Sequence, residues 1–228
     1  VCALPGVGEN LRDHFGPTMQ WRFNRKGYSI ADQGRGWKLA REVLRYLFLR
    51  EGFITQGWAT MRIFAKSHPG IEQADIALLA NPYLLEVQGK KRLMSKIDGF
   101  FLFAQVQRPE SCGSVHIQSA NPDDEPAIAL RYLETERDRR TSVDVVRLAR
   151  QVVAQSPLAD VIDSEILPGP AVQSDEDILD FIRATGSTTY HHVGTCKMGT
   201  DSMAVVDPEL RVRGVAGLRV ADASIMPL

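Results

Sequence analysis

Ser114-Val115-His116-Ile117-Gln118 alternates polar and apolar side chains along its whole length. An extended chain with one buried face sorts side chains with that period of two. Residues 109–113 before it and 121–126 after it are rich in Pro, Gly, Asn and Asp, which favour turns. Working outward, residues 58–65, 76–80, 100–107 and 127–132 are also short and strand-like. Together with 113–118 they are expected to form an antiparallel meander.

Helical spacing frames these strands. Leu39, Val43, Leu44, Leu47 and Phe48 recur along residues 37–50 as a helix requires, and Gly52 is the expected C-cap. Residues 135–155 carry Val143, Val146, Leu148, Val152 and Val153 on one side, with Pro157 just beyond. Ser174 precedes Asp175, Glu176 and Asp177, the pattern of an N-cap and an acidic first turn, and Gly186 marks the stop. A short helical turn is expected at 10–14, capped by Asn10. Short strands are expected at 205–208, 210–212 and 218–221. The expected fold class is α+β, an antiparallel sheet flanked by helices, with a tail able to return to another domain.

Composition narrows the function classes. The chain has 228 residues, 27 basic and 28 acidic side chains, and is 44% hydrophobic. A formal charge of −1 leaves no basic footprint for nucleic acid. The longest apolar runs fall far short of the ~20 residues of a membrane span. Cys2, Cys112 and Cys196 are too scattered for a disulfide framework or a zinc site, so reduced thiols in a reducing compartment, the cytoplasm, are expected. The ends at Val1 and at Met226-Pro227-Leu228 read as cut, so a piece of a longer polypeptide is expected.

Three stretches can carry chemistry. Gly6-Val7-Gly8-Glu9-Asn10-Leu11 resembles the start of a dinucleotide fingerprint, but Leu11 replaces the third glycine and Glu9 would repel a pyrophosphate. A turn is the better reading. In Tyr190-His191-His192-Val193-Gly194-Thr195-Cys196-Lys197-Met198-Gly199 the adjacent histidines diverge in any regular structure, so a shared metal is disfavoured and no metal site is expected. One imidazole there is either a proton-transfer group or a hydrogen-bonded structural one. Cys196 stands close enough in sequence for a thiolate–imidazole pair, although a packed side chain is the simpler role. At Val220-Ala221-Asp222-Ala223-Ser224, Asp222 either holds a ligand hydroxyl or caps a turn.

Taken together, the stretches from His191 to Gly199, Val205 to Pro208, Leu210 to Val212 and Gly217 to Pro227 resemble the C-terminal signature of the glucose–methanol–choline (GMC) oxidoreductases. Leu4-Pro5-Gly6-Val7-Gly8-Glu9-Asn10-Leu11-Arg12-Asp13-His14 and Arg108-Pro109-Glu110-Ser111 resemble the same family, in order along the chain. The likeness is to bacterial choline-dehydrogenase-like alcohol dehydrogenases. It implies a flavoprotein with a Rossmann-like FAD domain and a substrate domain. Residues 15–184 would be the substrate domain. Residues 1–14 and 185–228 would be returning pieces of an incomplete FAD domain. The implied reaction passes a hydride from a small-molecule alcohol to flavin N5 while a histidine takes the hydroxyl proton. That base maps to His191, with His192 as second choice, and Asp222 and Ala223 map to the flavin contact.

The Gly-rich ADP-binding unit and a second active-site His or Asn would lie outside residues 1–228, so this piece alone is expected to be inactive. Cys112 stands where the family usually has Arg, and Arg131 where Asn is common; both bear on substrate class. The competing reading is a non-catalytic substrate-binding or structural module without flavin. Self-association through surface left by a missing domain is also expected.

Overall fold

A computed structural model describes residues 2–31, 33–57, 59–88 and 91–227. In chain order it contains β1 (Phe15–Gly16), β2 (Thr18–Phe23), α1 (Gly36–Leu49), β3 (Met61–Ala65), β4 (Ile76–Asn81), β5 (Leu85–Gln88) and β6 (Lys91–Met94). There follow β7 (Gly99–Val106), β8 (Ser114–His116), β9 (Ala127–Ala129), α2 (Glu136–Val153), β10 (Ile162–Leu167), α3 (Asp175–Thr185) and β11 (Ser187–Thr188). The expected combination of antiparallel sheet and helices is present. The chain divides into two compact units, one of residues 16–105 and 141–187, the other of 1–15, 106–140 and 188–228.

The first unit is built on a five-stranded sheet in the order β10-β2-β7-β4-β3. The β10–β2, β2–β7 and β3–β4 pairs are antiparallel. Strand β7, Gly-Phe-Phe-Leu-Phe-Ala-Gln-Val, is buried at every position, as a near-continuous apolar run in mid-sheet should be. Its neighbour β2 alternates: Met19 and Trp21 are buried, and Trp21 stacks on Phe100 at 5.3 Å between ring centroids. Ala77 and Leu79 of β4 cluster with Phe101 and Phe103 of β7, and Tyr83 meets Phe101 edge-on at 5.2 Å. Burying each such Phe or Leu side chain contributes about 1.5–3 kcal/mol.

Helix α2 buries Val143, Val145, Val146, Ala149 and Val153. Its Arg150 forks onto Glu165 of β10 with two bonds of 3.0 and 2.8 Å. Ser174 caps α3 as expected: its hydroxyl accepts from the Asp177 amide at 3.1 Å, and the Asp177 carboxylate accepts from the Ser174 amide at 3.3 Å.

In the second unit β8 and β9 form a hairpin, Val115 opposite Ile128. Arg108-Pro109-Glu110-Ser111 leads into it, and α2 begins beside it. The buried Asp138 carboxylate accepts from the amides of Glu110 and Ser111 at 2.9 and 2.7 Å. In return the Ser111 hydroxyl accepts from the amides of Glu134 and Thr135 at 3.0 and 3.2 Å. Each segment thus satisfies backbone donors of the other.

Several local expectations are corrected. The segments expected as one meander separate, because β8 and β9 pair only with each other. Strands β2 and β10 join the sheet although neither is among the expected strands. Trp58, which opened one strand candidate, lies outside the described residues. The C-cap of α1 is Arg50 in the left-handed region (φ 57°), and Gly52 instead precedes a short 3-10 turn. Residues 10–14 are not a helical turn: Leu11 bridges Gly113, Arg12 bridges Val193, and Asn10 has φ 58°. The expected strands after residue 204 reduce to isolated bridges, Met198–Val206, Val206–Val212 and Arg211–Arg219. Glycines and turns there come too often for a ladder to propagate. Helix α1 has the predicted apolar spacing, yet Leu44, Leu47 and Phe48 are 54%, 54% and 79% exposed while Glu42 is buried.

Candidate functional site

The site grows from the corrected stretch, Leu11–His14, in the second unit. Arg12 exchanges backbone bonds with Val193 at 3.0 and 2.9 Å, and Leu11 does so with Gly113 at 3.0 and 2.8 Å. These pairings hold the segment extended, so the side chains of Asp13 and His14 point to different sides. The approach is close enough to dictate a glycine. Gly194 has φ 94°, and a Cβ there would lie 2.2 Å from the Asn10 carbonyl oxygen. Gly8 is similarly constrained, with φ 81° and a Cβ position 2.1 Å from the Val115 carbonyl oxygen. The glycines of the first candidate motif therefore serve chain packing, in line with the turn reading.

Asp13 is the anchor, and its side chain is fully buried. One carboxylate oxygen accepts the Tyr132 phenol at 2.6 Å and the Thr188 hydroxyl, and the other accepts the His191 amide at 3.0 Å. His192 Nε2 lies 3.5 Å from the same carboxylate. Burial opposes the charged form, but the bonds from Thr188, Tyr132 and the His191 backbone, with the attraction of His192, outweigh it and hold the Asp13 pKa below the usual value. Burial, then the bond to Asp13, pushes the Tyr132 phenol well above its ordinary range, so it stays a donor. Phe15 stacks on the Tyr132 ring at 4.2 Å.

The adjacent histidines diverge as expected. His192 turns to Asp13. His191 turns to His14, with the two Nδ1 atoms 3.3 Å apart and the rings edge-on. Nε2 of His14 lies 3.1 Å from the Gln107 carbonyl oxygen. Burial, with the His191 ring adding to it, lowers the His14 pKa, while the Gln107 carbonyl works the other way. Tyr190, immediately before the pair, has φ 61° and is 79% exposed; its amide donates to the Thr188 hydroxyl at 2.8 Å. The geometry offers an exposed imidazole, anchored through its backbone to a buried carboxylate and through its ring to a second imidazole.

The remaining candidates lie apart from this cluster in role. Asp222 and Ala223 are exposed. Asp222 caps the 3-10 turn Ala223–Ile225, accepting the Ser224 amide at 2.8 Å. Bonds from the Ser224 side chain and backbone hold its pKa below the ordinary value, so it is ionised at neutral pH. An ionised carboxylate suits the hydroxyls of a ribityl chain and repels a pyrophosphate. The small neighbouring side chains leave the backbone open to close approach. An acceptor with open backbone beside it is chemically suited to contact with a polyol chain.

Cys196 is partly buried, its amide bonded to the Ser224 carbonyl at 2.9 Å, and the described residues include no hydrogen bond from its thiol to either histidine. Cys112 Sγ reaches the Glu110 carbonyl at 3.3 Å and Asn10 Oδ1 at 3.6 Å. Among the described residues no group of three His, Cys, Asp or Glu side chains is placed to hold a metal ion. No described helix is long and apolar enough to cross a membrane. Sequence reasoning gave Asp13, His14 and Tyr132 no role. The signal was present only as the Asp13-His14 pair inside the N-terminal motif, because their partners lie 119 and 177 residues away.

The comparisons with known proteins agree with one another. The family model described as GMC oxidoreductase matches residues 109–228. An alcohol dehydrogenase (acceptor) from Pseudomonas putida is 37% identical across the whole chain, which covers 41% of that protein. An oxygen-dependent choline dehydrogenase from Cronobacter sakazakii is 36% identical, again across the whole chain and 40% of the relative. The chain thus spans about two fifths of the curated relatives it matches. Among solved structures, pyridoxine 4-oxidase from Mesorbium loti superposes with a TM-score of 0.75 at 24% identity, over 100% of this chain and 40% of that one. A formate oxidase variant from Aspergillus oryzae RIB40 superposes with a TM-score of 0.83 at 24% identity, over 98% of this chain and 44% of that one. At such identities the likeness speaks for the fold.

Proposed function

The chain belongs to the GMC oxidoreductase family, and from that premise we propose that it is the C-terminal part of an FAD-dependent enzyme that oxidises an alcohol, with His191 as the base. The observation that carries this reading is the exposed His191 imidazole, fixed at its backbone by buried Asp13 and at its ring by His14. Held in that way, one ring nitrogen can meet a substrate hydroxyl and take its proton. Loss of that proton makes the carbinol carbon a better hydride donor, so the two transfers help each other. When bound, FAD supplies the redox chemistry, with N5 as the hydride acceptor. Asp222 and Ala223 would touch the flavin on its ribityl side. His192, the second choice, has its ring committed to the Asp13 carboxylate.

In this reading residues 1–14 and 185–228 belong to the flavin domain and 15–184 to the substrate domain. The unit boundaries near residues 15 and 187 support its outer limits, while 106–140 pack with the chain ends. The 228 residues hold no complete Gly-x-Gly-x-x-Gly unit. We therefore expect this length of chain alone to retain no FAD and to show no turnover; flavin absorbance co-purifying with it would overturn that. In the whole enzyme, His191→Ala is expected to slow flavin reduction by alcohol about 10²–10⁴-fold, the contribution of a general base. Stopped-flow reduction at the normal rate would remove His191 from this role.

A further inference from the structure

We infer that His14 is a positioning residue: it fixes His191 as the Nδ1–H tautomer and leaves Nε2 as the nitrogen that accepts a proton. The catalytic meaning rests on the reading above, but the tautomer follows from hydrogen-bond polarity together with the burial of His14. A backbone carbonyl only accepts, so the 3.1 Å contact between His14 Nε2 and Gln107 O requires the His14 proton on Nε2. Burial favours the neutral form of His14, whose Nδ1 then carries a lone pair. That lone pair faces His191 Nδ1 at 3.3 Å, so His191 Nδ1 must bring the proton.

Thr189 points to the same conclusion independently. Its hydroxyl is directed to the His14 carbonyl oxygen at 3.4 Å, which spends its only hydrogen. Its oxygen, 3.4 Å from His191 Nδ1, is then left as an acceptor. His191 Nδ1 therefore meets two acceptors. A neutral imidazole with Nδ1 protonated has its lone pair on Nε2, and that atom makes no hydrogen bond to a described residue. Gln107 thus orients His14, and His14 orients His191, over three segments far apart in sequence.

The test is imidazole nitrogen NMR on the 228-residue chain with labelled histidine, near neutral pH. We expect His14 as the Nε2–H tautomer and His191 as the Nδ1–H tautomer. His14→Leu is expected to release His191 toward the Nε2–H form. His14→Asn, whose amide oxygen can stand near the lost Nδ1, is expected to restore Nδ1–H. His191 found as Nε2–H in the unsubstituted chain would overturn the inference even if both variants fail to fold, and so would a His191 tautomer unchanged in folded His14→Leu. In the whole enzyme, His14→Leu is expected to slow flavin reduction about 10²-fold, the lower end of general-base effects, with recovery in His14→Asn. Normal flavin reduction in His191→Ala beside the expected tautomers would sink the proposed function and leave the positioning intact.

Discussion

Replacing Asp13 by Asn tests the anchor at the scale of one residue. Asn presents an NH2 group where Tyr132 and Thr188 both donate, so the variant is expected to lose about 1–3 kcal/mol at neutral pH by chemical denaturation. The pH dependence has a definite sign. A carboxyl whose folded pKa is depressed contributes stability that is complete above its unfolded value, about 3.9, and is lost as pH falls through the folded value. The gap between wild type and Asp13→Asn should therefore narrow below about pH 4; a gap that stays constant down to pH 2 would contradict the role. At this scale the sequence was readable where chemistry sits on neighbouring residues, as for His191 and His192. It was silent where a partner is distant, as for Asp13 with Tyr132. Arg131 shows a rule visible only in the fold: its φ of 49° lies in the left-handed region, where Asn is more comfortable than Arg.

Among the elements, β7 is the one the sheet depends on. Phe101 is 1% exposed, packs with β4 residues and meets Tyr83 edge-on, so Phe101→Ala leaves a cavity that this sheet has little freedom to close. We expect a loss of about 3–5 kcal/mol, read as a large fall in the thermal midpoint of the chain. A loss below about 1 kcal/mol would mean that the core repacks around the gap. Elements with strong local signals were legible. Strand β7 is a continuous apolar run, and α3 starts at a capping serine. Strand β2 also carries a period of two in Met19, Trp21 and Phe23, but three apolar positions make a short signal. Strand β10, Ile-Asp-Ser-Glu-Ile-Leu, has polar residues at half its positions and gains its place through pairing with β2 and the Arg150–Glu165 contact. The Gly52 expectation failed because Arg50 itself took the left-handed cap, a tertiary choice that a preference for glycine cannot foresee.

For the molecule as a whole, the outward apolar face of α1 is the feature that composition concealed. Trp37, Leu44, Leu47 and Phe48 are each more than half exposed on that one helix. Soluble monomers seldom leave so contiguous a patch uncovered, so the 228-residue chain is expected to self-associate at high concentration. Sedimentation velocity should show this, and Leu44→Lys with Phe48→Glu should reduce it; a monodisperse monomer throughout would refute it. The α+β class and the three helices were readable in the sequence. The grouping of residues 106–140 with both ends was not, because no local period encodes a contact across 178 positions such as that between His191 and Asp13.

That separation has a consequence for biogenesis. A ribosome adding about 5–20 residues per second makes Asp13 and His14 roughly 10–35 s before His191 exists. Until then the carboxylate and imidazole destined for the interior stay hydrated on an unfinished nascent chain. The candidate site is consequently among the last parts of these residues to assemble, and a chain that stalls before Thr188 lacks the segment that completes it.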